Sequence, residues 1–326
     1  MVEAGLRTVW PDVEVTMVER FANGEWATMV RLGLAGAPAG VPDEVVLRIA
    51  PDPEMGAKEI AVQRAAASAG VDTPAVRATG GAGGPFGGVW AVMDFVAGQS
   101  LLAGLDGAAA VRQLPSLLRG IPGQLAETMT AIHDIDPAPV VDRVRAAAPT
   151  VAFTVDEIQR HLAARAEVAE AEPLAAALTR LGELRPAPAD AVLCHGDLHP
   201  FNLLATEGRT VVLDWTAALA APPAYDVAFT WLLLRYPPLA APVVVRPVIN
   251  GAAAAMSRRF VRLYQRLNPV ADLRHLSWYA ASHSVRVLVD LAGWEATEDP
   301  RSHSHPWRLV APGATRVLER VTGLRL

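Results

Sequence analysis

The stretch AVLCHGDLHPFNLLATEGRTVVLDWT, residues 191 to 216, decides how the rest of the chain is read. Two apolar runs within it, FNLLA and TVVLDW, are joined by the turn residues Glu207-Gly208, which predicts a short hairpin. A hairpin brings its ends together. His195, Asp197 and Asn202 lie at one end of the segment and Asp214 at the other, so two carboxylates and an amide oxygen are expected to converge.

Such hard oxygen donors suit Mg²⁺ bridging phosphates. In that chemistry one carboxylate stays off the ion to accept a hydroxyl proton and orient the nucleophile, while the amide and the other carboxylate hold the metal. Asp214 is then a candidate metal ligand, and a bound cation relieves the repulsion between two ionised acids. Each residue also has a plain structural use: Asp197 in an Asx turn, Asn202 as a cap, Asp214 at a strand end. His195, Asp197 and His199 alternate as in some metallohydrolases, which makes a metal-dependent hydrolase a rival reading. The same alternation arises where a turn enters a hairpin. Cys194 adjoins His195, but neighbouring strand side chains point to opposite faces, which predicts a buried structural thiol.

Upstream, TMVERFANGEWATMVRLGL (16 to 34) has two β-prone runs around Asn23-Gly24. EVVLRIA (44 to 50) and GVWAVMDFV (88 to 96) read as further strands. Between them AKEIAVQRAAASAGV (57 to 71) has helical spacing and a C-cap candidate in Gly70. Residues 79 to 88, rich in Gly, read as a loop. The expectation is a small, mostly antiparallel sheet carrying one main helix. From about residue 99 the texture turns to Ala/Leu-rich helices at 111 to 135, 152 to 183, 251 to 268 and 272 to 293, separated by PAPAD and PWRLVAPG. The class is therefore α+β, divided into residues 1 to 97 and a larger, mainly helical part, 98 to 326. His133 reads as a satisfied helix-end histidine. In the last long helix Tyr279, His283 and Arg286 share a face, with packing their expected use and an aromatic, neutral or anionic substrate the one they would suit.

Hydrophobic residues make up 52% of the 326, enough for a substantial core. A net charge of -5 gives no polycationic surface, so nucleic acid is not an expected partner. Residues 1 to 214 carry 27 Asp/Glu against 16 Lys/Arg and residues 215 to 326 carry 7 against 13, so the basic last third does not favour a polycationic substrate. Lys58 is the only lysine and Cys194 the only cysteine, which excludes an intrachain disulfide and a cysteine-based zinc cluster. The acidic start is unlike a secretory signal, and VAFTWLLLRYPPLAAPVVV is broken by Arg235 and two prolines. A soluble cytoplasmic protein with no membrane partner is expected. No repeat of solenoid period is present.

The pattern His-Gly-Asp-x-His-x-x-Asn, present as HGDLHPFN and followed eleven residues after Asn202 by LDW, resembles the aminoglycoside phosphotransferase/choline kinase-like family. The resemblance extends over most of the chain and is strongest from 191 to 230. It implies a bilobal protein-kinase-like fold, with residues 1 to 97 as the nucleotide-binding lobe and 98 to 326 as the catalytic and substrate-binding lobe. Asp197 is implied as the catalytic carboxylate, Asn202 and Asp214 as Mg²⁺ ligands, His195 as support for the loop, and Asp226 as a carboxylate at a helix start that holds it. Arg48 matches the strand position of a phosphate-contacting lysine, with Glu59 its helix partner. Backbone groups of Asp94, Phe95 and Val96 are implied to meet the adenine, and ANGEWATMV (22 to 30) to cover the phosphates. The implied activity is transfer of a phosphoryl group from ATP or GTP to a hydroxyl of a small molecule, an antibiotic or a metabolite. A non-catalytic nucleotide- or small-molecule-binding protein of the same fold is the alternative. The chain departs from the pattern at Phe201, where Gly is common, at Thr216, where a carboxylate often follows Asp-Trp, and at Ala221-Pro222-Pro223, which replaces Gly-Asp-Pro. These departures make an antibiotic acceptor less directly implied than kinase chemistry.

Overall fold

In the computed structural model, which describes residues 2–21, 27–101, 107–206, 208–240 and 243–326, the elements follow in this order. The first are α1 (Val2–Arg7), β1 (Glu14–Arg20), β2 (Thr28–Ala35), β3 (Glu44–Ala50), α2 (Pro53–Ser68), β4 (Val76–Gly80), β5 (Val89–Asp94) and β6 (Gln99–Ser100). Then come α3 (Gly107–His133), α4 (Pro137–Ala147), α5 (Val155–Val168), α6 (Glu172–Glu183), β7 (Val192–Cys194), β8 (Leu203–Thr206), β9 (Arg209–Val212) and β10 (Leu219–Ala221). The chain closes with α7 (Pro223–Arg235), α8 (Arg246–Leu267), α9 (Leu276–Ala296), α10 (Arg301–Ser304) and α11 (Trp307–Thr322). Contacts divide them into two units, one of Met1–Leu101, Asp136–Val151 and Phe201–Ala218, the other of Leu102–Ile135, Ala152–Pro200 and Leu219–Leu326.

The first unit is organised by a five-stranded sheet in the order β1-β2-β3-β5-β4, every neighbouring pair antiparallel. Alternation along β3 decides its two faces. Val45 and Leu47 join Leu32, Leu34, Trp90 and Val92 in one buried cluster, closed by Leu6, Trp10 and Val13 from the N-terminal turn. Val46 joins Ala91 and Met93 in a second cluster, against Ile60 of α2, and Arg48, two residues on, shares that face. The turn expected at Asn23-Gly24, at the hairpin that the resemblance implies over the phosphates, lies outside the described residues; β1 and β2 on either side pair from Glu14↔Ala35 to Arg20↔Val30.

α2 starts where Asp52 caps it, its Oδ1 accepting the N–H groups of Glu54 and Met55 at 3.0 and 3.1 Å, with Pro53 in the first turn. Past Ala69 the backbone turns left-handed at Gly70 (φ 89°), so the expected terminator acts as one. The expected hairpin forms as β8 and β9, paired from Leu203↔Val212 to Thr206↔Arg209, with β6 on its other edge. Its open end is anchored by Thr73, whose hydroxyl donates to the Val212 carbonyl at 2.9 Å and accepts from the indole N–H of buried Trp215 at 3.0 Å.

In the second unit α9 is the central helix, buried from Trp278 to Trp294 and packed on α5, α6, α7 and α11. The predicted helix over 152 to 183 is two helices. Glu170 is left-handed (φ 51°) and Pro173 opens the next helix, so continuous helical hydrogen bonding stops between them. PWRLVAPG, expected to separate helices, instead lies in α11, which carries Pro312 inside it. Gly313 follows because a Cβ there would collide with the Tyr236 ring. α7 has apolar residues all round and no polar face, so the pattern that marks a surface helix is missing from it. Among the described residues no helix is long and apolar enough to cross a membrane.

Candidate active site

The proposed catalytic carboxylate sits in the second unit, on the loop that leaves β7. Asp226, in the first turn of α7, is completely buried and accepts the N–H groups of His195 and Gly196, each at 2.8 Å. His133 at the end of α3 approaches its Oδ2 through Nε2 at 3.2 Å, while His133 Nδ1 and the Tyr264 hydroxyl are 2.7 Å apart. If Nε2 carries the proton that Asp226 accepts, Nδ1 is left to accept the tyrosine O–H, so both ring atoms are satisfied. Burial alone would raise the Asp226 pKa, but the His133 hydrogen bond and neighbouring positive charge outweigh it and hold the carboxyl below its ordinary range. One turn on, Thr230 donates to the Leu198 carbonyl at 2.7 Å. The loop also needs its glycine, since Gly196 has φ 75°.

His195 is fully buried, and its Nδ1 accepts the Asp197 N–H at 3.3 Å. It therefore orients Asp197 from within the protein. Asp197 remains partly exposed, with His199 Nε2 3.6 Å from its Oδ2. Burial pulls its pKa up, yet His199 and the Arg286 guanidinium outweigh this and hold it below the usual carboxylate value. Arg286, from α9, donates to the Gly196 carbonyl at 3.3 Å and lies over the rings of Phe229 and Trp307. Tyr279 and His283, its partners on the predicted face, are buried, and His283 Nε2 donates to the Tyr225 carbonyl at 2.9 Å, so these two serve packing.

The first unit holds the other residues. The N–H of Leu213 donates to the Asn202 carbonyl at 2.9 Å, continuing the β8–β9 pairing by one step and setting Asn202 and Asp214 at the mouth of the hairpin. Asp214 is left-handed (φ 59°), a conformation that Asp tolerates better than most residues. Its Oδ1 accepts the Thr216 hydroxyl at 2.5 Å and the Thr216 N–H at 3.2 Å. Among the described residues no hydrogen bond reaches its second oxygen, and its side chain is 40% exposed. A partly exposed carboxylate and an amide residue brought to the same hairpin mouth offer the kind of oxygen donors that fit Mg²⁺.

Arg48 is fixed from three sides. Its Nε donates to Glu59 at 2.9 Å, Nη2 to the Thr216 hydroxyl at 3.0 Å, and Nη1 meets the Met29 sulfur at 3.5 Å. The Arg48–Glu59 pair is mostly buried, with side chains 12% and 6% exposed. Burial pushes the Glu59 carboxyl up to about 7 against the opposing pull of Arg48. With an ordinary value of 4.5 in the unfolded chain, the folded state binds the extra proton, so this group's contribution to stability declines as pH rises from 4.5 to about 7. Glu59→Gln should flatten that part of the dependence of melting temperature on pH; an unchanged slope would show that Glu59 is not its source.

At the end of β5, the N–H of Asp94 donates to the Ala75 carbonyl at 3.0 Å and that of Phe95 to the Glu44 carbonyl at 3.2 Å. The Asp94 carboxylate forms a two-pronged pair with Arg77 at 2.6 and 2.7 Å. Of the three residues suggested for adenine, the N–H donors of Asp94 and Phe95 are thus already engaged.

The rival metal triplet is not assembled: among the described residues the one cluster of potential His, Cys and acidic ligands is His133, Cys194 and Asp226, whose ligand atoms lie within 4.8 Å. Asp226 there holds two backbone amides, and burial keeps the Cys194 thiol well above its ordinary pKa, so the cluster is a structural one. Sequence reasoning missed Thr216 and Tyr225 as members of these networks. The threonine was visible only as a departure from a pattern, and nothing local marked the tyrosine.

The profile of a family described as phosphotransferase enzyme family matches residues 18–264. A search of curated proteins finds no match. Among solved structures, a Ralstonia eutropha JMP134 protein assigned as an aminoglycoside phosphotransferase superposes with TM-score 0.66 at 19% identity, covering 99% of this chain and 96% of that one. A thermostable mutant of aminoglycoside phosphotransferase APH(4)-Ia, in ternary complex with AMP-PNP and hygromycin B, gives TM-score 0.62 at 20% identity, covering 99% and 98%. The GDP and kanamycin complex of APH(2")-IIIa gives 0.56 at 20%, covering 98% and 97%. The fold is the α+β, protein-kinase-like fold of these structures.

Proposed function

Because this chain belongs to the phosphotransferase enzyme family, we propose that it transfers the terminal phosphoryl group of ATP or GTP to a hydroxyl of a small molecule. The observation that carries the reading is the network at the hairpin mouth, where an outward carboxylate oxygen of Asp214, the neighbouring Asn202 and a clamped guanidinium, Arg48, lie in one unit. Residues 1 to 97 supply most of the nucleotide site and residues 98 to 326 the catalytic and acceptor site. Arg48, fixed by Glu59, offers paired N–H groups to phosphate oxygens. Val96 offers its N–H, and Asp94 and Phe95 their carbonyls, to the base.

Asn202 and Asp214 hold the magnesium ion, which when bound neutralises charge on the phosphates. Asp197 orients the acceptor hydroxyl and takes its proton as the new oxygen–phosphorus bond forms and the bond to the departing nucleoside diphosphate breaks. A carboxylate held below its ordinary pKa is a weak base, so it orients the hydroxyl first and takes up the proton late in the step, and both roles count. His195 and Asp226 keep that loop in place. The relatives' structures with hygromycin B and kanamycin put antibiotics on the panel of acceptors, with sugars and other hydroxyl metabolites beside them. A donor drawn from the cellular nucleotide pool goes with a cytoplasmic location.

The test is consumption of ATP or GTP by the purified protein across that panel, with mass spectrometry for a phosphorylated product. Asp214→Ala should weaken magnesium-dependent nucleotide binding by at least the ~10–100-fold that loss of an outer metal partner costs. Identical titrations for the native and variant proteins would remove Asp214 from the metal site.

A further inference from the structure

Thr216 stands where a carboxylate often follows Asp-Trp in the family pattern, and its hydroxyl lies among three ionisable groups, Asp214, Arg48 and the Glu59 carboxyl, which it also approaches. The Oγ1–H donates to Asp214 Oδ1 at 2.5 Å, and the same oxygen accepts from Arg48 Nη2 at 3.0 Å. A hydroxyl has one proton and two lone pairs, so it can serve a carboxylate and a guanidinium at once. The Thr216 N–H reaches Oδ1 as well, at 3.2 Å. Arg48 Nη2 is 3.8 Å from that oxygen, beyond a direct hydrogen bond.

We infer that Thr216 is a positioning residue that holds Arg48 off Asp214 and directs the second oxygen of Asp214 toward the cation. The inference rests on the phosphoryl-transfer reading and adds to it a role for one hydroxyl. Both Thr216 donors bind one oxygen, which fixes the carboxylate plane and leaves the other oxygen for an ion. Without the hydroxyl, only a short movement separates the guanidinium from a direct pair with Asp214, and that pair competes with magnesium for the same charge. A glutamate at this position would instead give Arg48 a second anionic partner and set two carboxylates side by side. The threonine links the two charges while adding none.

The experiment is nucleotide titration of the full chain, with and without magnesium, for native protein, Thr216→Val and Thr216→Ser. Valine keeps the branched shape and removes the hydroxyl; serine restores it. The T216V variant should need about 10–100-fold more magnesium for half-maximal nucleotide binding, the usual cost of losing an outer partner of a metal ligand. Its magnesium-free binding should fall less than its magnesium-dependent binding, because Arg48 keeps Glu59 as a partner, and T216S should match the native protein. Native magnesium dependence in T216V, or an equal loss in T216S, overturns the inference while leaving the phosphotransferase reading intact. No magnesium-dependent nucleotide binding by the native protein overturns both. Thermal melting checks that the variants are folded, and Thr216→Ala provides the same comparison if the valine variant is not.

Discussion

Asp197→Asn should lower the rate of phosphoryl transfer by about 10²–10⁴-fold, the range that a positioned general base contributes, and leave nucleotide affinity little changed. Asparagine keeps the size of the side chain and can still contact a hydroxyl, but it cannot take up the proton. The backbone is spared, because the contact that orients this residue runs from its own N–H to His195 Nδ1. Single-turnover kinetics on the acceptor found in the panel, beside calorimetric titration with nucleotide, separates the chemical step from binding. Native turnover in the variant would strip Asp197 of its role, whereas loss of nucleotide binding in step with turnover would mean that it acts on the donor.

Asp226→Ala should cost several kcal/mol of folding stability, about 1–3 kcal/mol for each buried donor left without its acceptor. Alanine leaves the amides of His195 and Gly196 without their acceptor and His133 facing an apolar void. Asparagine keeps one acceptor oxygen and should lose less. Urea unfolding of the three proteins measures both steps, and equal midpoints for native and D226A would refute the clamp. The sign with pH follows from a pKa held below the ordinary 3.8: the contribution is present above that value and disappears as pH falls through the folded-state value. This outcome is independent of any acceptor.

The two predictions differ in how much of their basis a linear reading exposes. The β8–β9 hairpin and the strands at 44 to 50 and 88 to 96 were legible because alternation and turn residues are local signals. The helix ending near Gly70 was legible for the same reason. Asp197, Asn202 and Asp214 stood out by spacing alone, and the hairpin does set the last two at its mouth. The bond from Asp226 to His195 spans 31 positions, that from His133 to Asp226 spans 93, and that from Arg48 to Thr216 spans 168. No window of sequence contains such pairs; the importance of Arg48, Glu59 and Asp226 came from family resemblance. Periodicity did not mark α7, whose start was implied only by the resemblance at Asp226, because burial on every side erases the periodicity that burial on one side creates. The break between α5 and α6 carried a local signal in Pro173 that the alanine-rich run around it masked, and the left-handed Glu170 beside it carries none.

The loop bearing Asp197 is pinned at two amides by Asp226, at one carbonyl by Arg286 and at another by Thr230, so its main chain is tied to α7 and α9. Such a segment has given up most of its conformational freedom when the protein folds, and little remains to be surrendered when an acceptor arrives. The entropic toll of catalysis is then exacted during folding, and selectivity among acceptors has to come from shape and charge around a rigid anvil.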